Sequence, residues 1–275
     1  MTVKITKILN NNAVIVMDGQ QQEQIAIGAG VGFEKRKNDI VNINKIEKLF
    51  VLKENEKLQQ LLLRIPEEHF ILSKEIITYA EKQLDTKLND HILLALTDHI
   101  SFAIEREKQG IHLKNKLLQE IKILYKPEFE IGLWALQHIK EKNQVEMPID
   151  EAAFIALHIH TMKIKGGDLH ETVRQTAIVR DMVETIKDYL QIKMEEDDIS
   201  YERLITHLRF ALSRANQYEV HSMDEEMLQM IKRKFNVSFR CALEVSKKLS
   251  RAHGIELPEE ELGYITLHIE RLRHY

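Results

Sequence analysis

Four of the thirteen histidines in this 275-residue chain sit at places that recur along it: His99 and His158, then His207 and His268. Within each pair the two are about 60 residues apart. An imidazole titrates near neutrality and carries a ring-nitrogen lone pair, so it can ligate a metal, exchange protons or accept a phosphoryl group. A metal would need carboxylate company. Asp98 and Glu151 are the nearby candidates in the first pair, but Thr206 replaces the Asp98 counterpart in the second, which argues against a shared metal site. Two equal catalytic sites are disfavoured as well, because no serine, cysteine or glycine-rich nucleophile motif accompanies the histidines. Phosphorylation suits them better: a phosphoimidazole is a large local charge that can open or close a helical interface. Arg106 and Arg214 follow His99 and His207 by seven residues, about two helical turns on a similar face, and are candidate phosphate partners. A duplicated core histidine with a buried hydrogen bond accounts for the same pattern, so on the residues alone both readings stay open.

The elements that must carry these histidines repeat with a period of about 110 residues. Leu118-Gln119-Glu120-Ile121-Lys122 matches Leu228-Gln229-Met230-Ile231-Lys232, Pro148 falls opposite Pro258, and Glu151 falls opposite Glu261. Ile155-Ala156-Leu157-His158-Ile159 matches Ile265-Thr266-Leu267-His268-Ile269. With a two-residue slip, His99-Ile100-Ser101-Phe102-Ala103 matches His207-Leu208-Arg209-Phe210-Ala211. Residues 65–170 and 171–275 therefore read as two copies of one all-α bundle, a duplication whose period is too long for a solenoid. Ile65-Pro66-Glu67-Glu68 marks a helix start, with Ser73 as a possible further cap.

The first 55 residues read differently. Ala13–Met17, an Asp18-Gly19 connection and Gln24–Ile27 predict a hairpin. Gly28–Gly32 suggests a bent strand, and Ile40–Ile43 and Lys48–Leu52 suggest further strands. So small an antiparallel sheet is marginal by itself, and dimerisation would bury one of its faces. Lys53–Gln60 reads as a linker. Hydrophobic residues make up 44% and charged residues 30% of the chain, with few glycines and prolines, so the whole is expected to be multidomain and mostly α. One cysteine, Cys241, leaves no disulfide framework and points to an intracellular, cytoplasmic protein. No secretory signal or membrane-length apolar run is visible. The net charge is −4 overall but +2 over residues 1–55, so any nucleic-acid binding must be local.

Asn10-Asn11-Asn12-Ala13-Val14, Gly28-Ala29-Gly30-Val31-Gly32-Phe33 followed by Lys35-Arg36-Lys37, Leu96–Ala103, Ala156-Leu157-His158-Ile159-His160, Thr206–Ala211 and Leu267–Arg271 together resemble the BglG/SacY family of transcriptional antiterminators, in order along the whole chain. The resemblance implies a dimeric co-antiterminator RNA-binding domain over 1–55, and phosphotransferase-system regulation domains over 65–170 and 171–275. The dimer would bind a hairpin in a messenger leader and prevent the overlapping terminator from forming. A sugar-specific permease would phosphorylate His99 and His158 to inactivate the protein, and the phosphocarrier HPr would phosphorylate His207 and His268 to activate it. Lys7, Asn10, Asn12, Gly28, Gly30, Phe33 and Lys35 become the candidate RNA contacts: asparagine offers donor and acceptor to base edges, glycine lets the backbone approach, and Phe33 can stack on an unpaired base. Many relatives of this type carry arginine where this chain has Ala29, so a contact through that position does not carry over. Read without the resemblance, the asparagines make a turn, the glycines bend a strand, Phe33 joins the core and Lys35–Lys37 is a solvated tip.

Three other readings compete. A DNA-binding activator with the same regulation domains would need a helix-turn-helix, against which the strand-like start speaks. A histidine phosphotransferase would need a nucleotide loop, and no Gly-x-x-x-x-Gly-Lys motif is present. A purely structural interaction protein leaves the repeated histidines unexplained. No enzymatic activity, metal or cofactor is expected.

Overall fold

A computed structural model describes residues 3–17, 23–51, 65–163, 167–192, 199–217 and 223–273. The Asp18-Gly19 connection and the Lys53–Gln60 linker lie outside the described residues. The fold is mostly helical, with a small antiparallel sheet at the N-terminus. Strands β1 (Lys4–Asn10), β2 (Ala13–Met17), β3 (Glu23–Ile27) and β4 (Lys48–Val51) pair as a meander in the order β1-β2-β3-β4. Strand alternation divides the apolar residues between two faces. Val14, Val16 and Ala26 pack under Val31 and Val41. Leu9, Ala13, Ile15, Ile25 and Ile27 pack against Ile65, Phe70 and Leu93. The face expected to await a second copy is thus covered in this chain by the start of the helical region.

Two strand expectations fail locally. Ile40 makes only an isolated bridge to Lys4, and Ile43–Lys45 is a single 3-10 turn capped by the Asn42 side chain. Gly28–Gly32 is a sequence of tight turns instead of a bent strand, because Gly30 takes a φ of +64°, a conformation glycine adopts without strain.

Ten helices follow among the described residues: α1 (Glu67–Leu84), α2 (Ile92–Lys108), α3 (Leu118–Leu124), α4 (Lys126–Asn143), α5 (Ile149–Lys163), α6 (Leu169–Leu190), α7 (Ile199–Gln217), α8 (Glu225–Lys234), α9 (Asn236–His253) and α10 (Glu259–Leu272). Pro66 caps α1 without a side-chain hydrogen bond. Ser73, considered above as a cap, lies inside α1, buried, with its hydroxyl donating to the His69 carbonyl. The core stripe of α2 (Ile92, Leu93, Leu96, Ile100, Ala103, Ile104) keeps the i, i+3, i+4 spacing of a buried helix face. Each fully buried Leu or Ile there contributes about 1.5–3 kcal/mol.

The chain divides into two compact units, Met1–Leu113 with Glu130–Gly166, and Lys114–Phe129 with Gly167–Tyr275. In the first, α2 packs on α1 and α5; in the second, α7 packs on α6 and α10. The unit boundary cuts across the duplication. Helix α3 belongs by sequence to the first copy, yet its main neighbours are α6 and α7. The Tyr125 hydroxyl lies 3.1 Å from Thr176 Oγ1, and Arg209 donates to the Leu124 carbonyl at 3.3 Å. Its counterpart α8 packs on α9 and α10 of its own copy.

Candidate functional site

The packing of α2 on α5 brings His99 and His158 together, with ring centroids 5.1 Å apart and 43° between the planes. The Phe154 ring, one turn before His158, lies 5.8 Å from His99. Beneath them sits Glu151, in the first turn of α5 and fully buried. One of its oxygens bonds the Arg106 guanidinium from the last turn of α2. The other, Oε2, faces His99 Nε2 at 3.1 Å, out of line for a hydrogen bond. Asp98 Oδ1 is buried without a hydrogen-bond partner, and burial raises that carboxyl above its usual range against the opposing pull of His99.

The second copy repeats the plan with different spacing. His207 on α7 and His268 on α10 stack with centroids 3.7 Å apart and 20° between planes. Arg214, in the last turn of α7, grips Glu261 in the first turn of α10 with both prongs, at 2.6 and 2.7 Å. Glu261 is buried, while His207 is exposed and has no carboxylate at ion-pair distance among the described residues.

Three of the four imidazoles are held below their ordinary value, His158, His207 and His268. Desolvation, aided by neighbouring His99, pushes His158 down to about 3. Desolvation, aided by His207 and Arg271, pushes His268 down to about 4. His207 is lowered by desolvation and by Arg271, Arg214 and Arg203. A neutral imidazole keeps a nitrogen lone pair, which is what attack on a phosphorus requires; an imidazolium has none. Among the described residues no group of three or more His, Cys, Asp or Glu could hold a metal ion. Cys241 is buried and its thiol is pushed up to about 12, so it is not a nucleophile at neutral pH.

Arg106 and Arg214, expected as phosphate partners, are engaged by carboxylates here. That role of Glu151 and Glu261 was not legible in the sequence, although the repeat set the two opposite each other. The available signal was an acid kept at the same place in two otherwise apolar helix faces.

At one end of the sheet the structure brings together most of the predicted RNA-contact residues. The β1–β2 turn is closed by the Asn10 side chain, which accepts from the Asn12 N–H at 2.8 Å. The Gly28 and Gly32 N–H groups donate to the Asn12 and Asn11 carbonyls, tying the glycine loop to that turn. Asn12 itself is 4% exposed, and its Oδ1 accepts from the Gly30 N–H at 2.6 Å, which makes it an internal brace. Gly28 is required by packing: a Cβ there would lie 1.8 Å from the Lys45 carbonyl oxygen. Phe33 is 55% exposed at the edge of this loop. Lys35 follows it, half-buried, and Lys7 is exposed further back along β1.

The PRD domain family matches residues 74–162 and 180–272, and the CAT RNA binding domain family matches residues 3–59. The chain is 39% identical over 274 residues to the transcription antiterminator LicT of Bacillus subtilis, covering 98% of this chain and 99% of that protein. It is 39% identical over 275 residues to the beta-glucoside operon antiterminator of Dickeya chrysanthemi, covering 98% and 97%. It is 33% identical over 274 residues to the GlcA/glcB genes antiterminator of Staphylococcus carnosus, covering 96% and 94%. A crystal structure of GlcT CAT-PRDI superposes with a TM-score of 0.51 at 36% identity, over 60% of this chain and all of that one.

Proposed function

The chain belongs to the family of transcription antiterminators that join a CAT RNA-binding domain to two PRD domains, and from that premise we propose that it is a sugar-responsive antiterminator switched by phosphohistidine. As a homodimer in the cytoplasm it binds a hairpin in a nascent messenger leader and keeps the overlapping terminator from forming. The RNA-binding domain spans 1–55 and the regulation domains span 65–170 and 171–275. RNA contact falls to the Asn10–Gly28–Phe33 end of the sheet, with Phe33 as the stacking residue and Lys7 and Lys35 toward the phosphates. Ile43 and Leu49, apolar and about half exposed, are residual surface for a second copy.

The observation that carries the reading is the duplicated site: two packed helices bring two imidazoles together beside an Arg–Glu pair in both copies. In phosphoryl transfer an imidazole lone pair forms the new N–P bond while the donor's bond to phosphorus breaks, its electron pair staying on the donor. The acceptor's N–H proton leaves in compensation. A sugar-specific permease is the donor to His99 and His158 and inactivates the protein when sugar is absent. HPr is the donor to His207 and His268 and activates it. Going from mostly off to mostly on takes about 5.5 kcal/mol of difference between two states, a size that one or two phosphates with arginine partners largely supply. The identity to the beta-glucoside operon antiterminator, 39% against 33% for the GlcA/glcB genes antiterminator, favours a β-glucoside as the inducing sugar. A DNA-reading alternative finds no support: the described residues before position 52 form a sheet and contain no helix-turn-helix.

The test is titration of the full chain with antiterminator-type RNA hairpins, scrambled hairpins and matching DNA, before and after phosphorylation by permease and by HPr. Hairpin-selective, submicromolar binding by a dimer, lost on permease phosphorylation, is expected. Equal binding to all three nucleic acids would overturn the proposal.

A further inference from the structure

We propose that Glu151 is the positioning residue that gives the first histidine pair its inhibitory sign: a phosphoryl group on His99 displaces this carboxylate from Arg106, and the α2–α5 contact opens. The inference rests on the phosphoacceptor reading above and adds the mechanism by which one copy responds oppositely to the other.

One oxygen of Glu151 bonds Arg106, and the other faces His99 at 3.1 Å without a hydrogen bond. The carboxylate is fully buried, so water cannot screen it. A phosphate dianion on the neighbouring ring therefore meets an unscreened like charge within a few ångströms. Arg106 is the guanidinium already bonded in that cluster, and its Nε is buried without a hydrogen-bond partner, so a donor remains for a new acceptor. A guanidinium fork binds a dianionic phosphate more strongly than one carboxylate oxygen. Arg106 thus moves to the phosphate and leaves Glu151 buried and unpaired, which folded proteins do not tolerate. Because Arg106 closes the last turn of α2 and Glu151 opens α5, exchanging the partner unties the two helices at one end.

The second copy lacks the conflict. Glu261 spends both oxygens on Arg214 in a bidentate pair, and His207 is exposed, with no carboxylate in ion-pair contact among the described residues. A phosphate on His207 meets the field of Arg271, Arg214 and Arg203 with no displacement of Glu261. Charge is neutralised there instead of being set in opposition. The same three residue types, two His with an Arg and a Glu, therefore yield an unstable phosphorylated state in one copy and a stabilised one in the other.

The experiment uses the full chain carrying His207→Ala and His268→Ala, so that only the first pair accepts phosphate, with potassium phosphoramidate as donor. Phosphate on His99 is located by mass spectrometry, and hairpin RNA affinity is measured before and after. Glu151→Gln retains an oxygen for Arg106 but presents no charge to the phosphate. Like-charge juxtaposition at a buried contact is unfavourable, so the phosphate-induced loss of affinity is expected to shrink about tenfold or more in Glu151→Gln at unchanged His99 phosphorylation. Glu261→Gln in the same background is expected to leave that loss as it was. Equal loss in Glu151→Gln and its parent would overturn the role of Glu151 while leaving the phosphoacceptor reading intact. No phosphate on His99 in the parent would overturn both. Should Glu151→Gln not fold, hydrogen exchange on the phosphorylated parent decides: faster exchange at residues 149–158 than in the unphosphorylated chain is expected, and unchanged exchange there overturns the proposal.

Discussion

His207 and His268 stack face to face, their ring centroids 3.7 Å apart, whereas His99 and His158 are separated by 5.1 Å and tilted by 43°. Helices from equivalent places in the duplication thus present the same two residues with different spacing and different access. His207 is exposed at the surface of α7, while His99, His158 and His268 are half-buried. Of the four rings, His207 is the one most open to solvent.

The two copies should therefore separate in loss-of-acceptor variants. His99→Ala with His158→Ala is expected to give antitermination independent of sugar. His207→Ala with His268→Ala is expected to abolish activation by HPr. A leader–reporter fusion assayed with and without inducer checks both, and continued repression of the first double variant without sugar would refute the inhibitory assignment.

Acid should destabilise the chain through its buried imidazoles. The folded-state values of His158 and His268, about 3 and about 4, lie below the ordinary value of 6.5. Above pH 6.5 both folded and unfolded states are neutral and these groups cost nothing. As pH falls below 6.5 the unfolded chain takes up protons that the folded chain refuses, so stability drops until the folded values are reached. The contribution reaches about 1.4 kcal/mol per pH unit for each histidine. Urea midpoints between pH 7.5 and 4.5 should fall with acidification, and His158→Gln should show a shallower fall.

Breaking the arginine–carboxylate pairs should be costly. Arg214→Ala leaves Glu261, which is 2% exposed, without its partner. Removing one member of a buried pair costs about 3–5 kcal/mol. Arg214→Ala with Glu261→Gln should recover part of that loss, because no stranded charge remains. Denaturant unfolding of the single and double variants measures both.

RNA binding and folding should come apart at the end of the sheet. Phe33→Ala removes an exposed ring and is expected to weaken hairpin binding by about 1–3 kcal/mol with little change in stability. Asn12→Ala is expected to act through the fold, since it leaves the Gly30 N–H without its acceptor. Gly28→Ala should be worse, because the added Cβ collides with backbone and not with a movable side chain. Thermal unfolding alongside RNA titration separates the three.

Much of the architecture was legible along the chain. The duplication shows in the repeated Leu-His-Ile segments, because a helix that must bury one stripe keeps its apolar spacing wherever it is copied. The sheet shows in Ala13–Met17 and Gln24–Ile27, whose β-branched runs suit a pleated, two-faced surface. Ile40–Ile43 has the same composition, but beside β1 it supplies only the Ile40–Lys4 bridge and the Val41 N–H donated to the Val3 carbonyl before the chain turns at Asn42. Ser73 looked like a cap because serine caps helices, but the acids after Pro66 had already begun α1 six residues earlier.

The sequence by itself determined which residues recur, His99 with His207, His158 with His268 and Glu151 with Glu261, and the helical period that places each on one face. Only the tertiary structure decided what each polar group touches. Arg106 and Arg214 bind buried glutamates, Asn12 turns inward to Gly30, and α3 packs on the second copy although its sequence belongs to the first. The physical reason is that spacing along a chain prescribes local geometry and the direction of a side chain. The partner of a buried charge is set by which elements pack together across tens of residues, and in an environment that excludes water the nearest opposite charge takes the contact.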